Sequence, residues 1–258
     1  MMRTGLLLAS LALASTALIS TTAPALAQHA EEALPHFPFT FSGLFGTYDR
    51  AELQRGYQVY SEVCSNCHGM KELYYRNLKD IGLNDAQVNA VAASAQVPGG
   101  LDDEGKPTER AGLPSDHFKA PYPNDKAARN ANGGALPPDQ SVIIKAREGG
   151  ADYVRALLNG YRDAPAGVKV GDGLYYNIWF PGKQLAMPAP LRDGQVDYAD
   201  KTPATVEQMS TDVTAFLAWA AEPELERRKQ MGLKWVSIFA VLTGLTYAVK
   251  KKVWKDVH

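Results

Sequence analysis

The chain has 258 residues, 45% of them hydrophobic and 21% charged, a balance that suits a globular protein and excludes disordered and fibrous classes. Its formal net charge of -1 hides an asymmetry: Gln28 to Gln230 carries 21 basic against 27 acidic side chains, a balance of -6, while both ends are basic. A domain of this size holds its core without disulfides. The two cysteines, Cys64 and Cys67, lie too close together for a long-range staple and need another explanation.

The chain opens with Met1-Met2-Arg3, continues as a Leu/Ala-rich stretch from about Gly5 to Ile19, and reaches Ala25-Leu26-Ala27 before Gln28. A charge, an apolar run and a small-x-small site together predict a secretory signal peptide over residues 1–27. No Arg-rich leader of organelle-import type is read here, so export across a bacterial inner membrane is expected.

Asp49-Arg50-Ala51-Glu52 predicts the start of a helix with Asp49 as N-cap. Leu53, Tyr57, Tyr60, Val63 and Cys64 recur at helical spacing, so this helix delivers the cysteines to the core face. Cys64-Ser65-Asn66-Cys67-His68 is then the C-x-x-C-H pattern of covalent haem attachment. Two thiols at this spacing add to the vinyl groups on one edge of the macrocycle, and the adjacent His68 turns beneath it to bind iron. The string is short; its weight comes from being the only cysteine pair in a chain expected to be exported. A zinc site would need two further ligands from His29, His36, His117 or an acid, and none has paired spacing. A redox C-x-x-C would need a thioredoxin-like βαβ setting, which the pattern lacks.

Val97 to Pro138 is rich in Pro, Gly and Asp and reads as long loops. A short helix is expected over Ser141 to Glu148, and another over Ala151 to Leu158 after the Gly149-Gly150 break. Residues 160–200 again read mostly as loop. Runs of this length need something rigid to pack against, and a haem supplies that surface.

The iron needs a sixth ligand or an open position, and Met70, Met187, Met209 and Met231 are the thioether candidates. Met70 is two residues from His68 and cannot easily reach the opposite face. Met209 sits on the apolar stripe of a helix, and Met231 in an apolar segment. Met187 lies in Leu185-Ala186-Met187-Pro188-Ala189-Pro190, a loop stiffened by prolines with no need of Met for helix packing, so it is the expected distal ligand. His117 is the alternative. A gap-filling role for Met187 is the plain structural reading. A closed six-coordinate iron has no room for substrate, which favours electron transfer over haem-enzyme chemistry.

A last soluble helix is expected to open at Thr202-Pro203, with Val206, Met209, Val213, Phe216 and Leu217 on its apolar face, and to run to Trp219-Ala220-Ala221. Met231 to Val249 is apolar apart from Lys234, a few Ser/Thr and two glycines. At ~1.5 Å per residue it just crosses a ~30 Å hydrocarbon layer. Lys250, Lys251, Lys252 and Lys255 follow at once, and the positive-inside rule keeps them in the cytoplasm. The expected organisation is thus a signal peptide at 1–27, a periplasmic haem domain at 28–230, a transmembrane helix at 231–249 and a basic cytoplasmic tail at 250–258.

Several segments taken together resemble the cytochrome c1 family, the haem subunit of ubiquinol:cytochrome c oxidoreductase. They are Arg55-Gly56-Tyr57-Gln58-Val59-Tyr60 leading into Cys-Ser-Asn-Cys-His, Pro121-Tyr122-Pro123-Asn124, Asn132-Gly133-Gly134-Ala135-Leu136-Pro137-Pro138-Asp139 and Lys145-Ala146-Arg147-Glu148-Gly149-Gly150. The most specific is Phe216-Leu217-Ala218-Trp219-Ala220-Ala221-Glu222-Pro223-Glu224 with Arg228 to Lys234. The likeness runs from about Phe41 to the C-terminus.

The resemblance implies a mainly α, cytochrome c-like haem domain with long loops and one C-terminal transmembrane helix, holding one covalently bound haem c. Met187 falls on the family's axial methionine. Arg147 matches an arginine near a haem propionate, where a guanidinium fork would neutralise a carboxylate; its plain reading is an exposed arginine. Asn132, Pro138 and Tyr153 match haem-lining positions. The implied partners are cytochrome b, a mobile Rieske iron-sulfur protein as electron donor and a soluble cytochrome c as acceptor, in a dimeric complex. This subunit is expected to be an electron carrier with no substrate site of its own, and no nucleic-acid partner is expected. The acidic balance suits steering of a basic carrier, with Asp102-Asp103-Glu104 and Glu222-Glu224-Glu226 as candidate clusters. Gln140 stands where the family usually has Leu, and the extra cysteine pair of some bacterial relatives is missing.

Overall fold

A computed structural model describes residues 33–256; the expected signal peptide lies outside the described residues. The first helix, α1 (Arg50–Glu62), begins where the sequence places it. Asp49 accepts from the backbone N–H groups of Ala51 at 2.8 Å and Glu52 at 3.4 Å, satisfying donors that the first turn leaves open. It buries Leu53, Gly56, Val59 and Tyr60 against α5 (Val206–Ala221), whose residues from Met209 to Ala220 are nearly all buried. The two helices meet at Gly56, where a Cβ would stand 2.0 Å from the Asp212 carbonyl oxygen. Only glycine permits this approach. Phe216 then packs on Tyr57, Tyr60 and Trp219 with ring centroids 5.6–5.7 Å apart. Beside the crossing, Arg55 grips the fully buried Asp212 through Nε (3.1 Å) and Nη2 (3.0 Å) and reaches Asp200 at 2.8 Å.

Behind α1 lie a 3-10 helix at Tyr75–Ile81 and α2 (Asp85–Ser94). Residues 97–138, expected to be loop throughout, contain a hairpin and a helix. β1 (Gln96–Leu101) pairs antiparallel with β2 (Pro107–Ala111), and α3 spans Asp125–Ala131. The hairpin escapes pattern reading because both strands are almost wholly exposed and lack alternation, while its turn is made by Asp102, which accepts from the N–H groups of Glu104 and Lys106. Helix α3 has 7 residues, too few to show a period, and its signal is local: Asn124 caps it through the Ala127 N–H.

Ser141 to Glu148 is a chain of turns, not the expected helix. Ser141 spends its hydroxyl on the Glu72 N–H (3.0 Å) and its own N–H on Asp139 (3.0 Å). At the far end Gly149 is left-handed, with φ 79°, so the segment is pinned at both ends with a succession of turns between. The next helix, α4 (Gly150–Asn159), matches its expectation. Residues 160–200 are mostly loop, with the two-residue strands β3 (Tyr175–Tyr176) and β4 (Gln184–Leu185) paired antiparallel. Helix α5 starts later than Thr202-Pro203, because Thr205 supplies the cap by accepting from the Gln208 N–H at 3.1 Å.

The last element, α6 (Leu225–Val253), has 29 residues and is buried only at Leu225. At ~1.5 Å per residue it is ~44 Å long, so the apolar span from Met231 is the continuation of a helix that begins inside the domain. The architecture is therefore mainly α with long loops and one C-terminal transmembrane helix.

Candidate haem site

Helix α1 ends at Glu62, and Cys64–Asn66 tightens into a 3-10 turn. The N–H groups of Cys67 (3.1 Å) and His68 (2.9 Å) both donate to the Cys64 carbonyl. The two intervening side chains fold back onto the helix: Ser65 donates to the Ser61 carbonyl, and Asn66 to those of Glu62 and Val63. Both thiols are free. Burial pushes the Cys64 thiol up to about 12, with a smaller contribution from Cys67. Among the described residues, no three His, Cys, Asp or Glu side chains gather as a metal site would require.

His68 is oriented by a carbonyl. Its Nδ1 lies 2.8 Å from the Pro138 oxygen, which can only accept, so Nδ1 carries the proton and Nε2 keeps its lone pair. Burial lowers the imidazole pKa, against smaller opposing effects of the Pro138 bond and Asp139, which favours the uncharged ring that can ligate. The Pro138 loop is itself tied down. Gln140 donates its N–H to the Gly69 carbonyl at 2.8 Å, and Asp139 accepts from the Lys71 N–H at 2.9 Å. Tyr60 donates to the His68 carbonyl at 3.3 Å. Asp139 is a site residue that no motif marks, its one sequence signal being its place after the double proline. Gln140 leaves its Oε1 buried without a partner, a cost that leucine there would not incur.

Tyr161 donates its hydroxyl to the Met187 carbonyl at 3.1 Å. Tyr161 also bridges to Asn177, which is fully buried, donates to the Leu157 carbonyl at 2.8 Å and accepts from the Trp179 N–H at 3.0 Å. The Met187 loop is thereby fastened to the end of α4. Met70 and Met209 are fully buried in the core and Met231 belongs to α6. Half-buried Met187 alone combines an anchored backbone with a side chain outside the core. The rival ligand His117 is engaged elsewhere, with its ring packed at a tilt of 34° and 3.9 Å from that of Tyr74, over which the Arg76 guanidinium sits at 4.0 Å.

Burial raises the Tyr153 phenol, with the Arg147 charge opposing it, and raises that of Tyr161 with help from Tyr153. Arg147, Tyr153, Tyr161 and Met187 thus form one neighbourhood. Arg147 itself is exposed and donates to the Ala146 carbonyl at 3.0 Å. Asn132 ends α3 and donates to the Tyr122 hydroxyl (3.1 Å) and the Ala128 carbonyl (2.7 Å), a bracing role. Val63, Cys64, Ile143, Ile144, Tyr153 and Leu158 are only partly buried on the edge of the core. A partly buried apolar edge, two free thiols and an imidazole whose Nδ1 is engaged so that Nε2 keeps its lone pair are together what a covalently held haem requires, and the residues fit that group.

Attachment turn, oriented histidine and membrane helix define the class: a membrane-anchored c-type cytochrome. Residues 39–257 match the Cytochrome C1 family. A protein of Solanum tuberosum named cytochrome c1-2, heme protein, mitochondrial is 50% identical over 215 residues, covering 83% of this chain and 82% of its own. Cytochrome c1 of Rhodospirillum rubrum is 46% identical, covering 85% of this chain and 86% of its own. A Bradyrhizobium diazoefficiens protein named cytochrome b/c1 is 46% identical over 87% of this chain, which spans 36% of that longer protein. The chain belongs to the cytochrome c1 family.

Proposed function

We propose that this chain is the haem subunit of a cytochrome bc1 complex, with one haem c on Cys64 and Cys67 and iron held between His68 and Met187. The bound iron supplies a one-electron ferric/ferrous couple. A thioether opposite an imidazole stabilises the ferrous state and raises the potential, as a late carrier requires. The Pro138 bond occupies His68 Nδ1 and leaves Nε2 as the ligating nitrogen, and the Tyr161 bond fixes the Met187 backbone. Arg147, Tyr153, Asn132 and Pro138 complete the haem surroundings, with Arg147 free to turn its exposed guanidinium to a propionate. The observation that carries the reading is the 2.8 Å His68 to Pro138 contact beside two free thiols.

The electron comes from a Rieske iron-sulfur protein and leaves to a soluble cytochrome c. The net acidic charge supports the second transfer, though not through both candidate clusters. Glu222 pairs with Arg228 (3.0 Å) and Lys145 (3.3 Å), Glu224 with Arg227 (3.3 Å) and Glu226 with Arg50 (2.9 Å). Asp103 and Glu104 stand exposed at the hairpin tip. Cytochrome b is the partner beside α6, a reading supported by the name of the Bradyrhizobium relative, and the complex is dimeric. Residues 1–27 are a signal peptide, 28–230 the periplasmic domain, 231–249 the span and 250–258 the cytoplasmic tail, in a bacterial inner membrane. Met187→Leu tests the iron assignment: the potential falls and the ferrous protein binds carbon monoxide, whereas unchanged spectra and potential refute Met187 as ligand.

A further inference from the structure

Leu44 and Phe45 are 67% and 76% exposed, an adjacent apolar pair at the tip of a tightly closed turn. Gly43 is left-handed at φ 71°, and a Cβ on Gly46 would stand 2.0 Å from the Ser42 carbonyl oxygen, so glycine is needed to close it. Below the tip, Thr47 donates its N–H to the Thr40 carbonyl at 3.1 Å. Both shoulders are fastened to the start of α6. Lys229 donates from Nζ to the carbonyls of Phe41 (2.7 Å) and Gly46 (2.9 Å), and Glu226 accepts from the Tyr48 N–H at 2.8 Å.

A groove of about 220 Å³ separates Leu44 and Phe45 from Gln230 and Leu233. Its lining fixes the level of the turn along the helix. Leu233 lies two residues into the apolar span, ~3 Å past Met231. Lys234 and Trp235 follow at once, residue types that settle where hydrocarbon meets headgroups. The apolar tip therefore stands level with the bilayer boundary, on the same side as the domain.

We propose that the Leu44–Phe45 turn is a second membrane contact, seated at the headgroup–acyl boundary of the leaflet beneath the domain. This rests on the reading of α6 as a membrane anchor. Lipid is the occupant because the turn is hydrogen-bonded to the start of the lipid-crossing helix, and because the two side chains exposed at its tip, Leu44 and Phe45, are apolar. One helix alone leaves the domain free to swing. A second, laterally displaced contact fixes its tilt and height.

The test uses the haem-loaded full chain in phosphatidylcholine/phosphatidylglycerol nanodiscs, with a nitroxide on Phe45→Cys. Haem attachment consumes Cys64 and Cys67, which leaves the new thiol as the labelling site, and the haem spectrum verifies folding. Labels at Leu233→Cys and Asp103→Cys give lipid and water references. The Phe45 label should collide with a water-soluble nickel chelate several-fold less often than the Asp103 label, and with oxygen as often as the Leu233 label. A Phe45 label as open to nickel as that at Asp103, with Leu233 protected, overturns the contact and leaves the anchor intact. A Leu233 label in water removes the anchor and this contact together. Protection of Phe45 that arrives only when the other subunits are added assigns the turn to a protein surface and also overturns the proposal.

Discussion

His68 and Met187 are held by different means. His68 follows a helix clamped along its length to α5, through the glycine crossing at Gly56 and the buried Arg55–Asp212 pair. Met187 hangs on a loop fixed by two-residue strands, a bridge at Asn177 and one phenol bond. The turn before it includes Lys183 in the left-handed region at φ 61°, a conformation that costs a non-glycine residue something to hold. The contrast teaches that the attachment side resists local opening as far as the whole domain does, whereas the methionine side can open on its own.

The largest expected effect probes the rigid side. Arg55→Met leaves Asp212, fully buried, without its cation and should cost ~3–5 kcal/mol of unfolding free energy. Denaturant unfolding followed by helix signal and by haem absorbance should give coincident, lowered midpoints; a change under ~1 kcal/mol would mean that solvent reaches the carboxylate. Tyr161→Phe probes the other side. Losing one neutral hydrogen bond should cost ~1 kcal/mol, with the loss local: the methionine-dependent charge-transfer band should weaken and carbon monoxide should bind faster, while the attachment turn stays put. An equal loss of global stability with an unchanged band would show that the loop is not an independent unit.

Smaller still is a pH effect at the base of α1. Glu52, 7% exposed, has its pKa raised by burial, with the Thr40 hydroxyl bond opposing. The folded protein therefore binds the proton more tightly than the unfolded chain, and stability falls as pH rises from the ordinary glutamate range through the raised value. Glu52→Gln should remove that decline, so its advantage in thermal midpoint grows towards neutrality. A constant difference across the range would exclude Glu52 as its source.

The same contrast explains what could be read in advance. The rigid side is local in sequence: an N-cap, a helical period and a five-residue motif name Asp49, Cys64, Cys67 and His68 directly. Met187 could be singled out because prolines mark its loop and other methionines fall on helix stripes. Its holder Tyr161 could not, since the bond joins residues 26 apart and no period marks it. The turns at Ser141 to Glu148 misled because Ser141 and Asp139 act through tertiary hydrogen bonds. The exposed β1–β2 hairpin carried no burial pattern to read.

The central claim is that a haem is bonded to the Cys64–His68 turn, and the most direct measurement is the mass of the purified, acid-denatured chain and of its proteolytic fragments. The account predicts the polypeptide plus one haem, with the added mass confined to the fragment containing Cys64 and Cys67. A chain of polypeptide mass alone, with pigment passing into acidified acetone or absent altogether, would contradict it.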